Sequence, residues 1–275
     1  MPGILQLVLR LTAVALLLPA CTKTETAVAV AADTPPPIDM GIRWVRTAAE
    51  YDAISRSAYR AALDALADKI ADKTWTALPG QTDADDLPPA IIFDVDETVV
   101  SNVEFQATFI RPFHDSKLND WNNANVAVPV PGVVEFANRA NELGVTLFFL
   151  TNRPCFEMAG DPDPCPQQET TYQDVAESGV PVDKDRVMLV GQQPEWTSEK
   201  SIRRNFIARS HRVIMLMGDD LGDFIACTRK KPLEPCTEEA TVATRDAASK
   251  NYQDYWGNGW YILPNPMHGS WVSAR

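Results

Sequence analysis

Positive charge is in short supply: 25 lysines and arginines face 37 aspartates and glutamates, a formal net charge of −12. A chain so acidic has no basic stripe with which to hold a polyanion, which excludes nucleic-acid polymers as partners and leaves small phosphorylated molecules, whose charge can be offset locally. Histidine is scarce too. The 3 present, His114, His211 and His268, are scattered, and no two cysteines form a CxxC pair, so a zinc site has little to stand on. No apolar run is long enough to cross a bilayer, and no internal repeat is visible. The longest candidate, Leu11 to Ala20, covers ten residues, where a spanning helix needs about 20.

That short run has a different use. It follows Met1–Arg10 with its single positive charge and ends in Leu18-Pro19-Ala20-Cys21, so residues 1–20 read as a secretory signal peptide. A small residue before a lone cysteine resembles the site at which lipoprotein precursors are cut, which would leave Cys21 lipidated and the protein anchored in a bacterial cell envelope; Pro19 is unusual there, and ordinary cleavage near Ala32 is the alternative. Residues 21–40, rich in Thr, Ala, Val and Pro, read as a flexible tether. Residues 41–275, about 235 of the 275, suffice for one domain with a small accessory region. Setting Cys21 aside leaves Cys155, Cys165, Cys227 and Cys236. Four cysteines allow three connectivities; the close spacings favour Cys155 with Cys165 and Cys227 with Cys236, in an oxidising compartment.

Tyr59, Leu63, Leu66 and Ile70 recur at helical spacing, predicting an amphipathic helix over 47–72. Beyond it, apolar strands near 89–94, 145–150, 186–190 and 212–217 alternate with helical stretches near 132–143, 168–178 and 198–209. That alternation predicts an α/β fold, a doubly wound parallel sheet with a small, mainly helical cap.

Three of those strands end in chemistry. Ile91-Ile92-Phe93 runs into Asp94-Val95-Asp96-Glu97-Thr98, two carboxylates one residue apart at the edge where ligands of open parallel sheets sit. Val145 to Leu150 ends in Thr151-Asn152-Arg153, a hydroxyl and an amide able to donate to phosphate oxygens. Val213 to Met217 leads into Gly218-Asp219-Asp220-Leu221-Gly222-Asp223. Lys200 adds a cation at a helix start. Each has an ordinary explanation alone, as a cap, a turn or a solvated residue; the four in this order point to phosphoryl transfer.

These four segments, DVDET, LTN, the lysine of EKSIRR and GDDLGD, resemble the motifs of the haloacid dehalogenase-like (HAD) superfamily. Within it the chain is most similar to the bacterial class C acid phosphatases, the outer-membrane lipoprotein 5′-nucleotidases, from residue 40 to Leu263-Pro264-Asn265-Pro266-Met267-His268-Gly269-Ser270-Trp271. His268 departs from the tyrosine expected in that closing segment. The resemblance implies a HAD-like core and a Mg²⁺ ion held by Asp94, Asp219 and the backbone carbonyl of Asp96. It implies Asp94 as nucleophile, Asp96 as general acid and base, Thr151, Asn152 and Lys200 on the phosphate, and Asp220 and Asp223 behind the metal and Lys200. Asp96 also separates this chain from relatives that break carbon–halogen bonds or drive transport. Trp121, Tyr252, Tyr255 and Trp256 offer faces on which a nucleotide base can stack. The expected substrate is a small phosphomonoester, foremost a nucleoside monophosphate; a homodimer is left open. The alternative is a non-catalytic binding or storage lipoprotein on the same scaffold, against which the complete set Asp94, Asp96, Thr151, Lys200 and Asp219 counts.

Overall fold

Short runs of β-branched and aromatic residues become one parallel sheet. The structure, a computed structural model, describes residues 37–108, 115–124 and 126–274; the proposed signal peptide, Cys21 and His114 lie outside them. In chain order the elements are α1 (Pro37–Thr47), α2 (Ala49–Ala71), β1 (Pro89–Phe93), β2 (Val100–Ser101), α3 (Val103–Thr108), α4 (Asp115–Asn123), β3 (Val128–Pro129), α5 (Val133–Glu142), β4 (Thr146–Pro154), α6 (Gln167–Glu177), β5 (Val187–Val190), α7 (Ser201–Ala208), β6 (Arg212–Gly218), α8 (Val242–Asn251) and β7 (Trp260–Ile262). The four predicted strands and four predicted helices are all present. α1 begins at Pro37, so the last residues of the stretch read as a tether are helical.

The five-stranded sheet has the order β5-β4-β1-β6-β7, and every pair in it is parallel. From β1 the chain works outward through β4 to β5, then returns to β6 on the other side of β1. The direction of winding therefore reverses between β1 and β6, and a crevice opens at their carboxyl ends. β1 is apolar throughout because both its faces are covered. Ile91 and Phe93, with Leu147 and Phe149 of β4, pack against Tyr59 and Leu66 of α2 and Phe136 of α5. Ile92, Leu150 and Leu216 face the other way, toward Ile207 of α7 and Trp260 of β7. Each such side chain contributes about 1.5–3 kcal/mol by leaving water, which anchors the strand ends.

Two details lock the helical layer. Gly132, at φ +99°, starts α5 where an added Cβ would stand 3.0 Å from the Tyr59 Cβ, so the α2–α5 approach requires glycine. Arg212, fully buried, donates to the carbonyls of Lys69, Ile70, Asp72 and Trp75, satisfying acceptors that the end of α2 leaves open. Between β1 and α5 the chain forms α3, α4 and the antiparallel β2–β3 ribbon. Disulfides join Cys155 to Cys165 and Cys227 to Cys236, the two local pairings favoured by spacing. Among the described residues, no helix is long and apolar enough to cross a membrane.

Candidate active site

β1 and β6 deliver the acids. The Asp94 N–H donates to the Met217 carbonyl at 2.9 Å, which continues the ladder one step beyond β1 and turns the Asp94 carboxylate out at the sheet edge. Glu97 then takes a left-handed φ of +62°, a conformation that costs a non-glycine residue on the order of 1 kcal/mol. Its N–H reaches Val100 O at 2.7 Å and its carboxylate accepts from the Asn102 N–H at 2.6 Å. These bonds hold the sharp turn that sets Asp94 and Asp96 over the same cleft, whose volume is about 860 Å³.

Carboxylate oxygens of Asp94, Asp219 and Asp223 lie within 4.8 Å of one another. Lys200, buried at the start of α7, is ion-paired with Asp94 and, at 2.7 Å, with Asp223. Burial works against the Lys200 charge, but Asp223 and Asp94 hold its pKa above the usual value. The carboxylates pay the converse penalty. Burial, with Asp223 and Asp96 nearby and Lys200 opposing, pushes Asp94 up to about 7. Asp219 is driven well above the carboxylate range by burial, then by Asp94 and Asp223. Hard carboxylate oxygens that raise one another in this way suit a divalent cation, which relieves their repulsion. The third carboxylate of the group is Asp223; the Asp96 side chain lies elsewhere.

Asp96 is held by Arg153, whose Nη2 approaches Asp96 Oδ1 at 2.8 Å and whose Nε is 3.1 Å from the same oxygen. Asn102 Nδ2 donates to Asp96 at 2.8 Å and the Thr151 hydroxyl at 3.2 Å. Burial opposes the Asp96 charge, yet Arg153 and these donors keep its pKa below the ordinary value. Arg153, itself buried, is fixed from behind by Asp174 on α6. Thr151 thus faces Asp96 in this state. Asn152 is exposed on the cleft wall, its Oδ1 accepting from Arg203 at 3.1 Å. Arg203, fully buried, also donates to the Thr151 and Met188 carbonyls, so one guanidinium ties the ends of β4 and β5 to α7.

The loop after β6 is organised by its own acids. Asp223 Oδ2 accepts from the Asp219 and Asp220 N–H groups, and Arg204 donates to the carbonyls of Gly222 and Asp223. Asp220 accepts from Gly222 N, Ser270 N and Ser270 Oγ, which fastens the C-terminal segment over the site. From that segment Asn265 Nδ2 reaches Asp219 at 2.7 Å and His268 Nε2 reaches Glu97 at 3.0 Å. Burial lowers the His268 pKa, but the hydrogen bond and charge of Glu97 bring it above the usual value. His268 therefore sits in the cleft hydrogen-bonded to Glu97, a contact that becomes an ion pair when the imidazole is protonated.

Trp121 donates its indole N–H to Asn102 Oδ1 at 3.0 Å, two bonds from Asp96. The expectation of base-stacking faces requires correction: Trp121 is not among the residues that line the cleft and packs its ring on Phe105 at 5.9 Å. Tyr252, Tyr255 and Trp256 do not line the cleft; their rings pack on Trp260 at 5.3, 4.8 and 5.2 Å, where they cover edge strand β7. Aromatic content signals buried surface as readily as a ligand platform. Arg153, Asp174, Asn102 and Glu97 were not singled out from sequence. Arg153 follows the Thr-Asn pair directly, but its partner Asp174 comes from another element, and only packing joins them.

A central strand ending in Asp-x-Asp, a buried lysine on the first aspartate and a second acid loop from the neighbouring strand define a phosphotransferase site of the HAD type. The chain belongs to the HAD superfamily, subfamily IIIB (acid phosphatase), whose profile matches residues 24–271. Two solved structures of the class C acid phosphatase from Bacillus anthracis, one with tungstate bound, are similar at 26% identity and a TM-score of 0.69, over 86% of this chain and 87% of that one. The protein is accordingly a phosphoric monoester hydrolase acting on small phosphates.

Proposed function

We propose that the protein is a Mg²⁺-dependent acid phosphatase of the cell envelope that hydrolyses small monoesters, nucleoside monophosphates among them, through an aspartyl-phosphate on Asp94. The observation that carries this is the Asp94 carboxylate, buried at the winding reversal with Lys200 on one side and Asp219 beside it. A divalent ion held by Asp94 and Asp219, with the Asp96 carbonyl from the family pattern, would supply the positive charge that lets an anionic nucleophile meet an anionic ester. Asp94 attacks phosphorus, the P–O ester bond breaks, and Asp96 gives its proton to the departing alkoxide. Asp96 then takes a proton from water as that water attacks the phosphoryl-aspartate, releasing inorganic phosphate and restoring both residues. Arg153 keeps Asp96 ionised in the resting site. An acidic medium and an arriving phosphate dianion both favour its protonation, consistent with the acid phosphatase family.

Lys200 and Thr151 would bind the non-bridging oxygens, with Asn152 on the cleft wall. Tungstate bound by the Bacillus relative is a tetrahedral oxyanion of phosphate shape, which supports an oxyanion site of this kind here. Room in the cleft beyond a phosphoryl group, about 860 Å³ in all, supports a leaving group as large as a nucleoside. The two disulfides support export to an oxidising compartment, with Cys21 as the proposed lipid anchor. Asp94→Asn is near-isosteric and should retain the fold while p-nitrophenyl phosphate turnover drops by more than about a thousandfold. Wild-type turnover should vanish with a chelator and return with Mg²⁺. A folded Asp94→Asn enzyme with substantial activity would remove Asp94 from the nucleophile's role.

A further inference from the structure

The cations of the cleft differ in what they already hold. Arg153 is spent on Asp96 and Asp174, Lys200 on Asp94 and Asp223, and His268 on Glu97. Arg229 lines the same cleft, half-buried, and among the described residues its guanidinium has no carboxylate at ion-pair distance and no hydrogen-bond acceptor. Asp220 feels its charge, but the oxygens of Asp220 are taken by Gly222 and Ser270.

The backbone that carries Arg229 is fixed on every side. Cys227 and Cys236 close the loop by a disulfide, and the Cys227 N–H donates to the buried Glu199 at 3.1 Å. The Thr228 carbonyl accepts from Arg245, which also donates to Ser270, and the Arg229 carbonyl accepts from Ala240 N at 3.0 Å. Gly222 sits beneath the guanidinium: a Cβ there would lie 3.8 Å from Arg229 Nη2. A rigid loop thus presents one uncommitted planar fork to a cleft of about 860 Å³, far more than a phosphoryl group fills. Such a fork matches carboxylate and phosphate oxygens two at a time.

We propose that Arg229 is a specificity-determining residue that receives a second anionic group, a carboxylate or a phosphate, on the part of the substrate beyond the scissile phosphoryl. The enzyme then favours doubly anionic phosphomonoesters over those with neutral leaving groups. The cleft explains the need. Among the described residues that line the cleft, the other cations are paired with acids, in a molecule of net charge −12, so a negative charge beyond the scissile phosphoryl is met by Arg229. This inference rests on the phosphomonoesterase reading of the site, and Asp94→Asn tests that reading separately.

Matched substrates test it. 4-Carboxyphenyl phosphate against phenyl phosphate isolates a distal carboxylate, and adenosine 3′,5′-bisphosphate against adenosine 5′-monophosphate isolates a distal phosphate. In Arg229→Gln the ratio of kcat/KM, anionic over neutral, should fall about tenfold relative to wild type, mainly through KM, for at least one pair; Arg229→Lys should restore part of it. The pair that responds identifies the anion. Raising the salt concentration should erode the wild-type ratio toward that of Arg229→Gln, a measurement that needs no variant to fold. Ratios that match between wild type and Arg229→Gln and do not respond to salt would overturn the proposal. So would an equal loss for both members of each pair, which would place Arg229 at the scissile phosphate.

Discussion

Asp96 is asked to be an acid while standing against a buried guanidinium, and that tension can be measured. If it protonates the leaving group, Asp96→Asn should slow alkyl phosphates by at least about a hundredfold and slow p-nitrophenyl phosphate, whose leaving group needs little help, far less. Equal losses would count against the assignment. His268 gives a second handle. Its folded pKa is raised, so the stability from the Glu97 pair is fully present below the unfolded value of about 6.5 and is lost as pH climbs through the folded pKa. The melting temperature of wild type should therefore exceed that of His268→Gln at pH 5, and the gap should close by pH 9. A gap independent of pH would mean that His268 acts by packing alone. The imidazole is 36% exposed, and solvent screening keeps the effect modest.

Between residue and fold, the Cys227–Cys236 loop joins chemistry to architecture. Glu199 precedes Lys200 and accepts from Ser201 N through one oxygen and from Cys227 N through the other. Replacing both cysteines by serine should cost on the order of 2–3 kcal/mol, the chain-entropy value for a loop of this length, and should also lower kcat as Glu199 loses its dock. Unchanged kcat in a destabilised protein would separate the loop from Lys200. At this scale the sequence was legible wherever an element announces itself: β1, β4, β5 and β6 are apolar runs with punctuation, and α2 has a clear face. It was silent on β7, only three residues long, and on the β2–β3 ribbon, because both exist through partners and not through their own pattern. Tyr252, Tyr255 and Trp256 were ambiguous for the same reason, since aromatic residues do not say which side of a sheet they will cover. Asp94 and Asp219 were readable because a strand end fixes where a side chain goes. The Arg153–Asp174 pair was not, because its geometry depends on where α6 packs.

Across the whole molecule, anchoring and acidity remain to be joined. If Cys21 carries lipid, wild-type protein should need detergent for extraction, and Cys21→Ser should yield either a soluble form or an unprocessed precursor; wild-type protein recovered without detergent would rule the anchor out.

The final feature is the distance along the chain between parts that meet at one point. Asp94 opens the site, yet Asn265 holds Asp219, His268 holds Glu97 and Ser270 holds Asp220. A polypeptide is made from its amino end, and its domains close only when their residues are all available. Every partial chain short of residue 270 therefore carries Asp94 without the full clasp that settles the acid loop beside it. The acid loop beside Asp94 therefore waits on residues 265–270, however early Asp94 itself is made, so a probe of that loop should read out docking of this segment and not merely closure of the sheet.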